Sequence, residues 1–88
     1  MKWKVTYSGK AKKFLDEKNI HDEVRNEIRK FLLKMNGENI NVDLRKLVGN
    51  WKGYYRIRIG QIRVIFKVFK EDREIYVERI DFRGSIYK

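Results

Sequence analysis

The stretch Tyr54-Tyr-Arg-Ile-Arg-Ile-Gly-Gln-Ile-Arg-Val-Ile-Phe-Lys-Val-Phe69 decides how this chain folds. Branched and aromatic residues alternate with basic ones on both sides of Gly60-Gln61. Such alternation is typical of strands with one buried face, and a two-residue connection with glycine in first place is typical of a β-hairpin. We therefore predict two antiparallel strands joined at Gly60-Gln61, with Ile59 opposite Ile62.

The predicted register also assigns each side chain to a face, because residues directly opposite one another share a face of a sheet. One face carries Arg56, Arg58 and Arg63, with Lys67 opposite Tyr54. We expect this arginine face to be open to solvent. The other face is apolar and predicts a core made by Tyr55, Ile57, Ile59, Ile62, Val64, Phe66 and Val68.

The arginine face belongs to a basic segment that contains no acidic residue. Its eight basic residues are Arg45, Lys46, Lys52, Arg56, Arg58, Arg63, Lys67 and Lys70. Arg58 opposite Arg63 is a like-charge pair, which costs a sheet up to ~1 kcal/mol. A planar guanidinium binds phosphate through two hydrogen bonds and stays charged. A solvated basic face is the alternative, but this arrangement and the net charge of +10 favour a site for a polyanion.

Length and composition limit the classes of protein that remain. The 88 residues predict a single domain, residues 1–88. The chain has no cysteine, which excludes disulfides and thiolate metal sites, and its one histidine, His21, lies in a polar helix-start sequence. The N-terminus has no apolar run long enough for a signal peptide or a membrane span. These features predict a cytoplasmic protein with no metal, no cofactor and no membrane association.

The first part of the chain predicts a strand and two helices. Alternation over residues 2–7 indicates the strand, and Ser8 offers an N-cap for a helix that runs to about Lys18. A second helix follows and ends at Asn36-Gly37. Its apolar stripe, typical of a helix that covers a core, consists of Val24, Ile28, Phe31, Leu32 and Met35.

The remaining segments are less regular. Residues 37–53 hold no convincing helix or strand, and a connection of this length suggests a functional loop. Trp51 in this segment either closes the core or stacks on a base. A last strand is predicted from Glu74 to about Phe82, followed by an irregular tail.

The order strand, helix, helix, strand, strand, strand predicts an α+β fold. We expect an N-terminal strand and a helical hairpin packed on one face of a twisted four-stranded sheet with a C-terminal antiparallel meander. No glycine-rich phosphate loop, Ser-His-Asp set or Cys-His pair can be assembled from the sequence. An arginine site could still accelerate phosphoryl transfer by stabilising negative charge and positioning its substrate. RNA is the better substrate than DNA, because it carries its own nucleophile in the 2′-hydroxyl.

The block Leu47-Val-Gly-Asn-Trp-Lys-Gly-Tyr-Tyr-Arg-Ile-Arg-Ile-Gly-Gln-Ile-Arg-Val-Ile-Phe66 resembles the RelE/ParE toxin superfamily of toxin–antitoxin systems, as does the ending Asp81-Phe-Arg-Gly-Ser-Ile-Tyr87. The resemblance covers essentially the whole chain. It implies a RelE-like fold and the activity of RelE-type mRNA interferases, which are metal-independent, ribosome-dependent endoribonucleases that cleave mRNA in the A site. By similarity, the catalytic residues are Arg56, Arg58, Arg63, Arg83 and Tyr87.

The resemblance also implies partners. A RelB-like antitoxin would bind the toxin, the toxin would act on the ribosome and mRNA, and only the toxin–antitoxin complex would bind operator DNA. RNA contacts are expected from the other basic residues near the hairpin, Arg45, Lys46, Lys52 and Lys67.

Two departures from the family affect the mechanism. Some RelE enzymes have lysines where this chain has Arg56 and Arg58, and an arginine is hard to deprotonate because its pKa exceeds ~12. A general-base role would therefore belong to Tyr87 or to the 2′-hydroxyl's own activation. The Glu and His of the related YoeB branch are also missing. A ParE-like gyrase inhibitor and a non-catalytic RNA-binding module remain the alternative functions.

Overall fold

In the computed structural model, which describes residues 2–82, two helices pack on one face of a mixed β-sheet. This arrangement confirms the predicted α+β fold class. In chain order the elements are β1 (Lys4–Tyr7), α1 (Gly9–Lys18), α2 (His21–Met35), β2 (Leu44–Lys46), a 3₁₀ helix (Gly49–Trp51), β3 (Tyr55–Ile59), β4 (Ile62–Phe69) and β5 (Glu74–Phe82).

The sheet has five strands in the order β1-β5-β4-β3-β2. The predicted count of four strands was wrong, because residues 37–53 contain the short strand β2, which pairs antiparallel with β3. Three residues are too few to show the alternation by which a strand is recognised. The N-terminal strand β1 pairs with β5 in parallel, which requires a crossover connection, and the helical hairpin provides it.

The central hairpin has the predicted register. Ile59 lies opposite Ile62, and Arg58 lies opposite Arg63. Gly60 has φ +59°, a conformation that L residues with a side chain rarely adopt. A positive φ at the first turn position alone matches the type II′ turn, whose twist suits adjoining antiparallel strands.

The main core lies between the helices and the sheet. Its hairpin members Ile57, Val64 and Phe66 are fully buried, as the alternation predicts. Met35, which was predicted to belong to the buried stripe of α2, is 37% exposed. The buried helix residues that complete the core are Ala11, Leu15, Val24, Ile28 and Phe31, and β5 adds Ile75, Val77 and Ile80.

One serine hydroxyl connects α1 to the sheet. Ser8 Oγ accepts a hydrogen bond from the backbone N–H of Ala11, as predicted for an N-cap, and donates one to the carbonyl of Glu78 in β5. At the other end of the helical layer, Asn36 ends α2 and Gly37 follows with φ +98°. No helix within residues 2–82 is long and apolar enough to cross a membrane.

The face of the sheet opposite the helices, called the outer face below, is not fully open. Leu47 and the fully buried Ile65 form a second small core there. Trp51 and Tyr54 pack against it from the segment between β2 and β3. This segment therefore covers part of a face that the sequence predicted to be bare.

Candidate nucleic-acid interface

The outer face presents its side chains in rows that cross the strands from β2 to β5. The pairing of the strands defines each row, since residues directly opposite share a face. The first row contains Asp43, Arg58, Arg63 and Asp81. The second row contains Arg45, Arg56, Ile65 and Arg79. The third row contains Leu47, Tyr54, Lys67 and Tyr76.

Arg56 is buried, which contradicts the prediction that it is exposed. Only 4% of the residue is accessible. Its Nη2 donates a hydrogen bond to Oδ1 of Asp43 over 3.1 Å. The alternation identified the face correctly, but Asp43 lies just before the basic segment, and the segment after β2 covers part of the same face. Arg56 is therefore not a free surface cation, and its contact with Asp43 holds that carboxylate beside Arg58.

Arg58 and Arg63 lie side by side in the first row, between two acidic residues. Arg58 Nε is 3.7 Å from Oδ2 of Asp43, and its side chain is 30% exposed. Arg63 is directly opposite Asp81 on β5 and is also partly exposed. Like charges directly opposite one another destabilise a sheet, and the flanking acidic residues reduce this repulsion. The two guanidiniums are thus adjacent and partly accessible, which suits a shared phosphate.

The predicted RNA contacts do not all lie together. Arg45 is exposed and directly opposite Arg56, so it extends the second row to the edge of the sheet. Lys67 lies in the third row, with its Nζ 5.4 Å from the centre of the Tyr54 ring. Lys46 is exposed but is paired with a core-face residue, so it lies away from the arginine rows. Lys52 is exposed next to the 3₁₀ helix.

Arg79 is a candidate phosphate-binding residue that the sequence did not predict. Ile65 pairs with Arg79, whereas the next residue, Phe66, pairs with Val77, so Glu78 is an unpaired bulge residue. The bulge reverses the alternation of β5 and brings Arg79 to the outer face. Strict alternation from Ile75 would have pointed Arg79 into the core. The polar sequence Glu78-Arg79 next to the apolar Ile80 was the only signal of this change.

Tyr54 is poorly suited to act as a base. Burial raises the pKa of its hydroxyl, and the carboxylate of Glu78, which accepts a 3.5 Å hydrogen bond from it, raises that pKa further. Arg83 and Tyr87, which the family resemblance adds to the site, lie outside the described residues. Within residues 2–82, no three His, Cys, Asp or Glu side chains are grouped so as to hold a metal ion.

No family sequence model and no curated protein sequence matches the chain. Its structure, however, resembles solved toxins over nearly the full length of both chains. The archaeal RelE–RelB complex from Pyrococcus horikoshii is 25% identical with a TM-score of 0.61, covering 97% of this chain and 99% of the other. The RelBE2 complex from Mycobacterium tuberculosis is 18% identical with a TM-score of 0.68, covering 94% and 100%. A YafQ mutant from E. coli is 23% identical with a TM-score of 0.64, covering 99% and 100%.

These similarities agree with the resemblance in the hairpin sequence. They cover both helices and the sheet that carries the arginine rows. The chain has the fold of the RelE/ParE toxin superfamily.

Proposed function

We propose that this protein is the toxin of a type II toxin–antitoxin system and a ribosome-dependent endoribonuclease that cleaves mRNA in the A site. The observation that carries the proposal is the adjacent pair Arg58 and Arg63 on the outer face, supported by the buried Arg56. The fold shared with RelE and YafQ toxins gives further support.

The proposed chemistry uses the nucleophile of the RNA itself. The 2′-hydroxyl oxygen attacks the neighbouring phosphorus, and the bond from phosphorus to the 5′-oxygen of the next nucleotide breaks. The hydroxyl proton goes to a base, and the leaving 5′-oxygen takes a proton from the protonated base or from water. The products are a 2′,3′-cyclic phosphate and a 5′-hydroxyl. Negative charge accumulates on the phosphorane oxygens, where fixed cations are most effective.

The side chains take different parts in this proposal. Arg58 and Arg63 hold the reacting phosphate and stabilise its charge. The buried Arg56 helps position them through Asp43, the carboxylate that it shares with Arg58. By family resemblance, Arg83 adds a further cation and Tyr87 acts as the base. Among the described residues, Arg45 and Arg79 lie in the second row and Lys67 lies in the third, on one side of Arg58 and Arg63, and they would hold flanking phosphates on that side.

The proposed partners follow from the same comparisons. Similar folds were solved in complex with the antitoxins RelB and DinJ. A net charge of +10 suits a small acidic partner and also suits the ribosome and mRNA. We propose a RelB-like antitoxin, operator DNA binding only by the toxin–antitoxin complex, and action in the cytoplasm.

Single-turnover cleavage of A-site mRNA on programmed ribosomes tests the function. Arg63→Ala and Arg83→Ala should each lower the rate about a hundredfold or more, the effect of losing a group that stabilises the transition state. Tyr87→Phe should lose much of the rate if the hydroxyl is the base. Arg29→Ala, which removes the same charge from an exposed position on α2, is the matched control. The cut ends should carry 2′,3′-cyclic phosphate.

The same preparation distinguishes the alternatives. An intact message together with inhibition of purified gyrase would replace the proposal with ParE-like activity. RNA binding with steep salt dependence but no cleavage would indicate a non-catalytic module. A pull-down that recovers no small acidic companion would count against the antitoxin.

A further inference from the structure

Trp51 and Tyr54 form an aromatic surface beside the arginine rows that the proposed chemistry does not use. Their rings are perpendicular, with centres 5.3 Å apart. Both residues are only partly buried, although they rest on the fully buried Ile65. The inner side of this pair therefore belongs to a small core, and the remainder is accessible from the outer face.

Charges of both signs border this aromatic surface, which makes it a less favourable place for a phosphate than the arginine rows. Glu78 accepts the 3.5 Å hydrogen bond from Tyr54, so a carboxylate lies at the edge of the ring. The carboxylate disfavours a phosphate at this edge of the ring, whereas an uncharged base is compatible with it. The ammonium of Lys67 lies over the same ring, so a cation stands between the aromatic surface and the arginine rows. Along a strand the second and third rows are two residues, or about 7 Å, apart.

We infer that Trp51 and Tyr54 bind a base of single-stranded RNA whose phosphates are held by the arginine rows. This inference rests on the proposed function and adds a binding subsite to it. Aromatic side chains commonly stack on unpaired bases, and each such contact contributes roughly five- to a hundredfold in affinity. The first row, which holds the reacting phosphate, is four residues or about 13 Å from Tyr54 along β3, so the subsite accepts a nucleotide one or two positions beyond the reacting phosphate and orients the RNA along the strands.

The two tryptophans of the chain give a direct test. Trp3 packs against the main core on the helix side of the sheet, whereas Trp51 packs against the second core on the outer face, so Trp3→Phe leaves Trp51 as the only tryptophan reporter. A short 2′-O-methyl oligoribonucleotide, which lacks the nucleophile, serves as the probe. Saturable quenching in Trp3→Phe and none in Trp51→Phe is expected. Equal quenching in both variants, or none in Trp3→Phe at saturating RNA, would overturn the inference.

Affinity measurements give an independent test. Tyr54→Leu keeps an apolar cover over Ile65 but removes the stacking ring, and it should weaken RNA binding about fivefold or more. Tyr54→Phe should restore most of that loss. The salt dependence of binding should stay the same in both, because no phosphate contact is removed, whereas Arg58→Ala should lower its slope by about one. A Tyr54→Leu variant that unfolds normally on heating and binds like wild type would contradict the inference.

The outcomes also separate this subsite from the proposed function. Quenching and ring-dependent affinity without ribosomal cleavage would leave the subsite in place and remove the nuclease. Cleavage with no quenching and no effect of Tyr54→Leu would remove the subsite and leave the nuclease.

Discussion

Replacing Asp43 by asparagine should lower stability and strengthen RNA binding at the same time. The carboxylate neutralises Arg56, whose side chain is 5% exposed, through a 3.1 Å contact. It also lies 3.7 Å from Nε of Arg58. Asparagine has a similar shape and can still accept a hydrogen bond, so the substitution removes mainly the charge.

The expected loss follows from the exposure of the two partners. Breaking a fully buried ion pair costs about 3–5 kcal/mol, because one charge remains without compensation. The Asp43 side chain is 51% exposed, so water screens part of the interaction. We expect the free energy of unfolding to fall by about 1–2 kcal/mol, with each kcal/mol lowering Tm by roughly 4–8 °C in a domain of this size. Meanwhile the net charge rises from +10 to +11, which should tighten RNA binding.

Thermal unfolding and RNA titration at fixed salt measure the two effects. Asp72→Asn removes the same charge from an exposed turn and is the matched control. The double variant with Arg56→Met should recover part of the stability, because both members of the pair are then gone. The reasoning is refuted if Asp43→Asn is as stable as Asp72→Asn, or if it becomes less stable and also binds RNA more weakly.

Three further predictions concern other parts of the fold. Ile65→Ala should cost about 2–4 kcal/mol in denaturant unfolding, since Ile65 is fully buried in the second core; a loss below 1 kcal/mol would show that this core contributes little. Gly60→Ala should lower the unfolding free energy by about 1 kcal/mol because of the positive φ at the turn, whereas Gly9→Ala, at a helical position with open space, should not. Because the folded state raises the pKa of Tyr54, its contribution to stability is present below pH ~10 and is lost as pH rises through the folded pKa. Tyr54→Phe should therefore reduce the alkaline loss of stability, and an unchanged pH profile would contradict the assignment.

The sequence predicted the features that depend on neighbouring residues. The β3–β4 register followed from alternation and the glycine turn, and the cap of α1 followed from Ser8. Parallel pairing of β1 with β5 could not be predicted in this way, because it joins residues such as Lys4 and Glu74 that are distant in the chain. Its geometry depends on how the helical hairpin packs.

In the candidate site, too, contacts within one hairpin were predicted and contacts with more distant residues were not. The grouping of Arg58 with Arg63 was predicted because both belong to one hairpin. The acidic partner of Arg56 was missed because Asp43 precedes the basic segment and reaches it only through the short strand β2. Arg79 was missed because an unpaired residue breaks the alternation of β5. Alternation predicts a face only while the pairing is regular.

The bulge at Glu78 divides β5 into two halves that alternate in opposite phase. Before the bulge the odd-numbered residues face the core, and after it the even-numbered residues do. Ile75 and Val77 are buried at odd positions, and Ile80 is buried at an even one. Deletion of Glu78 would keep every face, because Val77 and Arg79 already lie opposite the adjacent residues Phe66 and Ile65. If Glu78 instead paired in the ladder, every residue after it would change faces. Ile80 would turn outward and Arg79 would turn toward the helices, so the core and the arginine rows would be lost together. One backbone irregularity thus allows a single strand to serve two surfaces with opposite requirements.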